Sequence, residues 1–262
     1  MKRIILKNLT IGYGRNVVAK GINGCLYSGE MVCLIGSNGV GKSTLLRTMG
    51  ALQKRISGDI FLSGDCNSGC NEFRSIDDCS PKKLSKFISV VLTEKVDLLN
   101  ITVEELVGMG RQPYTGFWGN LSCDDKKIVA ESLDAVGISC MAKCKVLELS
   151  DGECQKVMIA KALAQNTPII ILDEPTAYLD FHSKVEMLQL LNRLAHKFNK
   201  TVFLSIHDLE LALQITDKIW LMNHDSLIIG TPKELSASGE LSRYVDCEEI
   251  RLNMATLHVD LR

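Results

Sequence analysis

The sequence predicts an α/β fold with a mostly parallel sheet and an all-helical segment inserted in its middle. Three observations carry this. A glycine-rich turn sits between an apolar strand, Met31–Ile35, and a helix over Ser43–Leu52. Two short apolar runs, Ile169–Leu172 and Thr201–Ile206, flank a helical stretch over 182–198. Apolar runs of this length suit strands buried on both faces, and strands alternating with helices build parallel sheets. Between these two regions lie capping-box sequences that open helices.

The opening third reads as strands and turns: Ile4–Leu6, Leu9–Ile11, Met31–Ile35 and Ser57–Gly64. Residues 65–80 are polar and rich in Gly, Ser, Asn and Asp, which predicts a loop. Thr102-Val-Glu-Glu105 is a capping box before Leu106 and Val107. Ser122-Cys-Asp-Asp125 opens a second helix carrying Ile128, Val129, Leu133 and Val136. Ser150-Asp-Gly-Glu153 opens a third, running to about Gln165. The 182–198 helix has Val185, Leu188, Leu191, Leu194 and Ala195 at helical spacing, a face for the core. Lys218–Met222 and Leu227–Ile229 flank a His-Asp-Ser turn and predict a hairpin. Residues 236–262 carry no motif and read as an extension of open role.

Composition bounds the function. The chain has 262 residues, 46% hydrophobic and 23% charged, which suits a folded domain with ample core. Thirty basic against 31 acidic residues leave a net charge of −1, so no general attraction to nucleic acid is expected. No apolar run approaches the roughly 18–20 residues that span a bilayer, and no secretory leader is read at the N-terminus. A cytoplasmic location is expected. The ten cysteines have irregular spacing and form no CxxC. They read as reduced thiols packed as small hydrophobes, the alternative being a metal site spanning Cys66, Cys70 and Cys79.

The strongest chemical signal is Gly36-Ser-Asn-Gly-Val-Gly-Lys-Ser-Thr44, a GxxxxGK[ST] pattern in its required strand–turn–helix setting. Gly36, Ser37, Asn38, Gly39 and Gly41 let successive backbone N–H groups face inward, and the helix N-terminus adds positive dipole for polyphosphate. Lys42 is placed to reach the β- and γ-phosphates. Ser43 offers a hydroxyl to Mg²⁺, and Thr44 supports the phosphates. The second signal is Ile169-Ile-Ile-Leu-Asp-Glu-Pro175. Ligands of such sheets sit beyond the carboxyl ends of the strands. Asp173 is therefore expected to hold Mg²⁺ through water, and Glu174 to orient or deprotonate an attacking water.

Leu149-Ser-Asp-Gly-Glu153, 24 residues before Asp173, completes a pattern that resembles the ATP-binding cassette (ABC) ATPases. It stands where that family has LSGGQ. Ala177-Tyr-Leu-Asp180 is similar to its D-loop, His207 to its switch histidine, and Tyr13 to its adenine-stacking aromatic. The resemblance spans residues 3 to about 235. It implies a P-loop NTPase, with a RecA-like core, an antiparallel β subdomain and a helical subdomain inserted at about 94–165, the ABC domain occupying 1–235. It also implies ATP and Mg²⁺ as ligands and a head-to-tail dimer of two copies, in which Ser150 and Gly152 act on nucleotide bound by the other copy.

Two places depart from the family pattern. Thr93, with Glu94 beside it, stands where the family has the Q-loop glutamine; its hydroxyl is a shorter ligand for Mg²⁺ or water. Asp151 and Glu153 replace Gly and Gln in the signature, and Asp151 is expected to point away from nucleotide. Ile101–Gly116 resembles the helical subdomain of importers for ferric siderophores, haem and cobalamin. In that branch residues 93–120 would face an integral membrane permease, served by an extracytoplasmic substrate-binding protein, and Phe117 and Trp118 would either pack at that surface or cover the core as loop aromatics. The chain would then be peripheral on the inner face of the membrane. The alternatives are a soluble cassette such as an iron–sulfur assembly factor, or a nucleotide-gated scaffold of low turnover.

Overall fold

A computed structural model describes the chain except residues 64–72, 94–99, 117–118, 224–225, 246–249, 254–258 and 262. Cys66, Cys70, Glu94, Phe117 and Trp118 therefore lie outside the described residues, as do two residues of the predicted hairpin turn.

The chain opens with β1 (Lys2–Tyr13) and β2 (Asn16–Tyr27), paired antiparallel. The two separate strands expected over residues 4–11 are one long strand with register shifts between Leu6 and Ile11, where Asn8 takes φ 45°. The bulge absorbs the polar break that reads as a turn. β3 (Met31–Ile35) leads through the glycine-rich loop into α1 (Lys42–Met49). The helix stops short of the expected Leu52 because Gly50 caps it and Ala51 follows at φ 57°. β4 (Ser57–Ser63) pairs with β1, and β5 (Phe73–Ser75) extends that sheet. Part of the predicted 65–80 loop is thus strand and a single 3₁₀ turn, Ile76–Asp78, capped by Ser75. α2 (Pro81–Leu84) and β6 (Ile88–Val91) follow.

Between β6 and the next strand the described residues hold three α-helices, α3 (Val103–Gly108), α4 (Cys123–Ala135) and α5 (Asp151–Ala164). All three open on capping boxes: those read in the sequence at Thr102 and Ser150, and one at Ser122, where the sequence predicts a cap. β7 (Ile169–Leu172), α6 (Phe181–Lys197), β8 (Thr201–Ser205) and α7 (Leu209–Ile215) return the chain to the sheet. β9 (Lys218–Met222) and β10 (Leu227–Gly230) form the hairpin. The final stretch holds α8 (Pro232–Ala237), α9 (Glu240–Val245) and a small hairpin of β11 (Ile250–Leu252) and β12 (Val259–Leu261).

The main sheet has the order β10-β9-β3-β8-β7-β6, parallel except for β10. The second sheet, β2-β1-β4-β5, is antiparallel. Strand alternation sends side chains to two cores. Val32 and Leu34 join the core shared by both sheets and α1, whereas Met31, Cys33 and Ile35 join the core under the helices. Gly24 lets the sheets close: a Cβ there would lie 2.5 Å from the ring of buried Trp220. Because β3, β7 and β8 are neighbours, their carboxyl ends deliver the glycine-rich loop, Asp173–Glu174 and Ser205–His207 to one place.

Candidate nucleotide site

The loop after β3 is shaped by positions where only glycine fits. A Cβ on Gly36 would sit 2.6 Å from the Met222 carbonyl oxygen. Gly41 has φ 110°, and a Cβ there would meet Val18 at 2.5 Å. A side chain at either would push the loop off the sheet. Gly41 caps α1 without a side-chain bond, so the first N–H groups of the helix stay available to an anion. Lys42 is buried and donates from Nζ to the carbonyls of Gly36 (2.7 Å) and Ser37 (3.2 Å). Burial lowers its pKa, and the facing charges of Glu174 and Asp173 oppose that shift.

A cleft of about 290 Å³ opens over this loop. Tyr13, Asn38, Gly39, Lys42, Ser43 and Glu174 line it. Tyr13 is 55% exposed, and its hydroxyl accepts from Thr44 Oγ1 at 3.4 Å, so an aromatic face stands beside the cradle. An aromatic with one polar tip suits a flat heterocycle.

The acidic side of the cleft comes from the end of β7. Asp173 is buried, and its Oδ1 accepts from Ser43 Oγ (3.1 Å) and Ser205 Oγ (2.8 Å). Thr93 Oγ1 donates to the main-chain carbonyl of Asp173 at 2.7 Å. Thr93 thus stands at the same junction as Ser43 and Asp173. The donor set is hard oxygen, carboxylate and hydroxyl, which fits Mg²⁺ rather than a soft metal.

Glu174 takes φ 48°, a left-handed backbone that costs a non-glycine residue about 1–2 kcal/mol. Two contacts hold it there. Its N–H donates to Ser205 Oγ at 2.9 Å, and its Oε1 lies 2.6 Å from His207 Nε2. Strain held by several contacts is a frequent property of reactive positions. Glu174 and His207, read separately in the sequence, form one pair at the cleft.

Ser150 and Gly152 are not brought to this cleft within one chain. Ser150 caps α5: its Oγ accepts from the Glu153 N–H at 3.4 Å, and Glu153 Oε2 accepts from the Ser150 N–H at 2.8 Å. Leu179 lies beside Gly152, 3.5 Å from where its Cβ would be. Asp151 is the exposed first residue of α5. The residue that motif reading passed over is Ser205. Its only sequence signal is its position two residues before His207, and its partners are set by strand pairing.

The cysteines bear little on this site. Cys33 is fully buried, and burial pushes its thiol far above the usual range, so it is unreactive. Cys79 donates weakly to the Ser75 carbonyl at 3.7 Å. Among the described residues no group of three His, Cys, Asp or Glu side chains is placed to hold a metal.

Residues 19–177 match the ABC transporter family. An ABC transporter ATP-binding protein of Methanocaldococcus jannaschii is 44% identical over 87% of this chain and 76% of its own length. The iron(3+)-hydroxamate import ATP-binding protein FhuC of Bacillus subtilis is 35% identical over 82% of this chain and 77% of its own. A bacterial ABC transporter cassette solved as a dimer superposes with a TM-score of 0.72 at 28% identity, covering 87% of this chain and 98% of that one.

Proposed function

Since this chain belongs to the ABC transporter ATP-binding family, whose members hydrolyse ATP, we propose that it powers an importer of ferric siderophores or of the related chelates haem and cobalamin. The similarity to an iron(3+)-hydroxamate import subunit supports the cargo class, as does the Ile101–Gly116 segment. No described helix is long and apolar enough to cross a membrane. The import ATP-binding relative supports a separate permease as partner, with this subunit docked on the inner face of the membrane and an extracytoplasmic binding protein delivering cargo.

The observation that carries the catalytic reading is the 2.6 Å Glu174–His207 contact at the mouth of the glycine-rich cradle. The cradle N–H groups and Lys42 bind the polyphosphate, and Tyr13 stacks on the base. Glu174 orients and deprotonates water in line with the γ-phosphate, while His207 fixes the carboxylate in that direction. Ser43 and Asp173 would hold Mg²⁺, with the Thr93 hydroxyl beside them, and the ion would neutralise phosphate charge. A second copy closes head to tail and presents the Ser150–Gly152 helix start, whose N–H groups and dipole meet the γ-phosphate. The relative solved as a dimer supports that assembly. Opening after hydrolysis resets the permease.

The test is co-purification with the membrane partner, followed by ATPase assay with a ferric hydroxamate and its binding protein. Stimulation of several-fold is expected. ATPase activity indifferent to iron chelates, haem and corrinoids alike would overturn the cargo assignment.

A further inference from the structure

We propose that Ser205 is a positioning residue for both carboxylates of the site. This rests on the roles given above to Asp173 and Glu174. β7 and β8 run parallel with Leu172 opposite Leu204, so the next residues along each strand, Asp173 and Ser205, come side by side. Ser205 is fully buried, in a setting where an unpaired hydroxyl is costly. Its hydroxyl has one proton and two lone pairs. The Glu174 amide, 2.9 Å away, can only donate, so Ser205 must accept there. Its own proton is then directed to Asp173 Oδ1, at 2.8 Å. The amide sets the direction of the first bond, and the carboxylate, an acceptor, sets that of the second.

One hydroxyl therefore does two things. It holds the Glu174 peptide in its left-handed conformation, which aims the side chain at His207. It also fixes the rotamer of Asp173 from the sheet side. Ser43 reaches the same Oδ1, but from α1, which carries the phosphate cradle. Both bonds use Oδ1, so neither consumes Oδ2. Ser205 belongs to the sheet itself, and keeps Asp173 and Glu174 in register whatever the cradle does. Thr93 adds a third hydroxyl on the Asp173 carbonyl.

The experiment compares the purified chain with Ser205→Ala and Ser205→Thr. Three quantities are followed: hydrogen exchange of the Glu174 amide, steady-state kcat and KM for ATP, and Tm. In Ser205→Ala the Glu174 amide should exchange at least about tenfold faster, while the amides of Ile170 and Ile171 keep their protection. The same variant should lose about tenfold in kcat with KM within about twofold, the mark of an interaction realised in the transition state. Ser205→Thr, which keeps the hydroxyl, should recover both.

Two results would overturn the proposal. One is exchange at Glu174 and kcat both within about twofold of the parent in Ser205→Ala. The other is exchange rising evenly along β7 and β8 with a lowered Tm in both variants, which would mean packing alone. Failure of the carboxylate roles is separable: Glu174→Gln would then turn over at the parent rate, while the exchange difference at Glu174 would still stand.

Discussion

Glu174 is where the chemistry and the backbone meet. Its positive φ, its Ser205-bound amide and its His207-bound carboxylate are three constraints on one residue. Removing the His207 ring should free the Glu174 carboxylate without disturbing the cradle. His207→Ala is thus expected to lower kcat by about a hundredfold, within the range of a lost general-base arrangement, and to leave ATP affinity within a few-fold. Phosphate release and a nucleotide-binding titration check the two halves. Lys42→Ala should do the reverse, removing the buried cation from the cradle and abolishing productive ATP binding in the same titration. Lys42, Ser43, Asp173 and Glu174 are legible in the sequence because each sits in a contiguous motif. Ser205 is not, because its role arises where β7 and β8 are brought together. Tyr13 is legible only as an aromatic between glycines; its place beside Thr44 comes from the fold.

Four of the described helices start on reciprocal caps. Thr102–Glu105, Ser122–Asp125, Ser150–Glu153 and Thr231–Glu234 are capping boxes, and Asp180 caps α6. Hydrogen bonds from these caps hold the carboxyls of Glu105, Asp125, Glu153, Asp180 and Glu234 below their usual values. A carboxyl depressed on folding contributes stability above its unfolded pKa and loses it as pH falls through the folded value. Tm should therefore be flat near neutrality and fall below about pH 4. Asp125→Asn should remove part of that acid-side slope in the same denaturation series.

Asp125 is also bound by buried Arg111, at 2.8 Å, which donates in addition to the Ala164 carbonyl at the end of α5. Arg111 so ties α4 and α5 to the turn after α3. Replacing it by Met should cost about 3 kcal/mol, since a buried charge loses its partner, and lower Tm on the order of 10 °C. All four boxes stand in the sequence as fixed three-residue spacings, the one at Thr231 included. β2 and β5 are not legible there, because they lie in a half-exposed sheet whose burial pattern mixes polar and apolar residues. The polar 73–80 segment folds because β4 supplies an edge for it.

At the scale of the molecule, the site of one chain is one-sided. The cradle and Glu174 share a cleft, with His207 bound to the Glu174 carboxylate, while the Ser150 helix start lies outside it. Large apolar side chains stand exposed in and just after Ala177–Asp180: Tyr178 at 78% and Phe181 at 69%. Exposed aromatics of this size are expected at a contact surface. Phe181→Asp should weaken the ATP-dependent association of two copies by at least tenfold in sedimentation, with Tm unchanged. The near-zero net charge leaves association to such local surfaces.

In the proposed function two copies close on ATP and Glu174 ends the closed state by hydrolysis. Sedimentation of Glu174→Gln with ATP and Mg²⁺, alongside a phosphate-release assay, tests this most directly. The predicted result is a stable dimer of twice 28.9 kDa, loaded with ATP and releasing almost no phosphate. A monomer that hydrolyses ATP at the parent rate would contradict it.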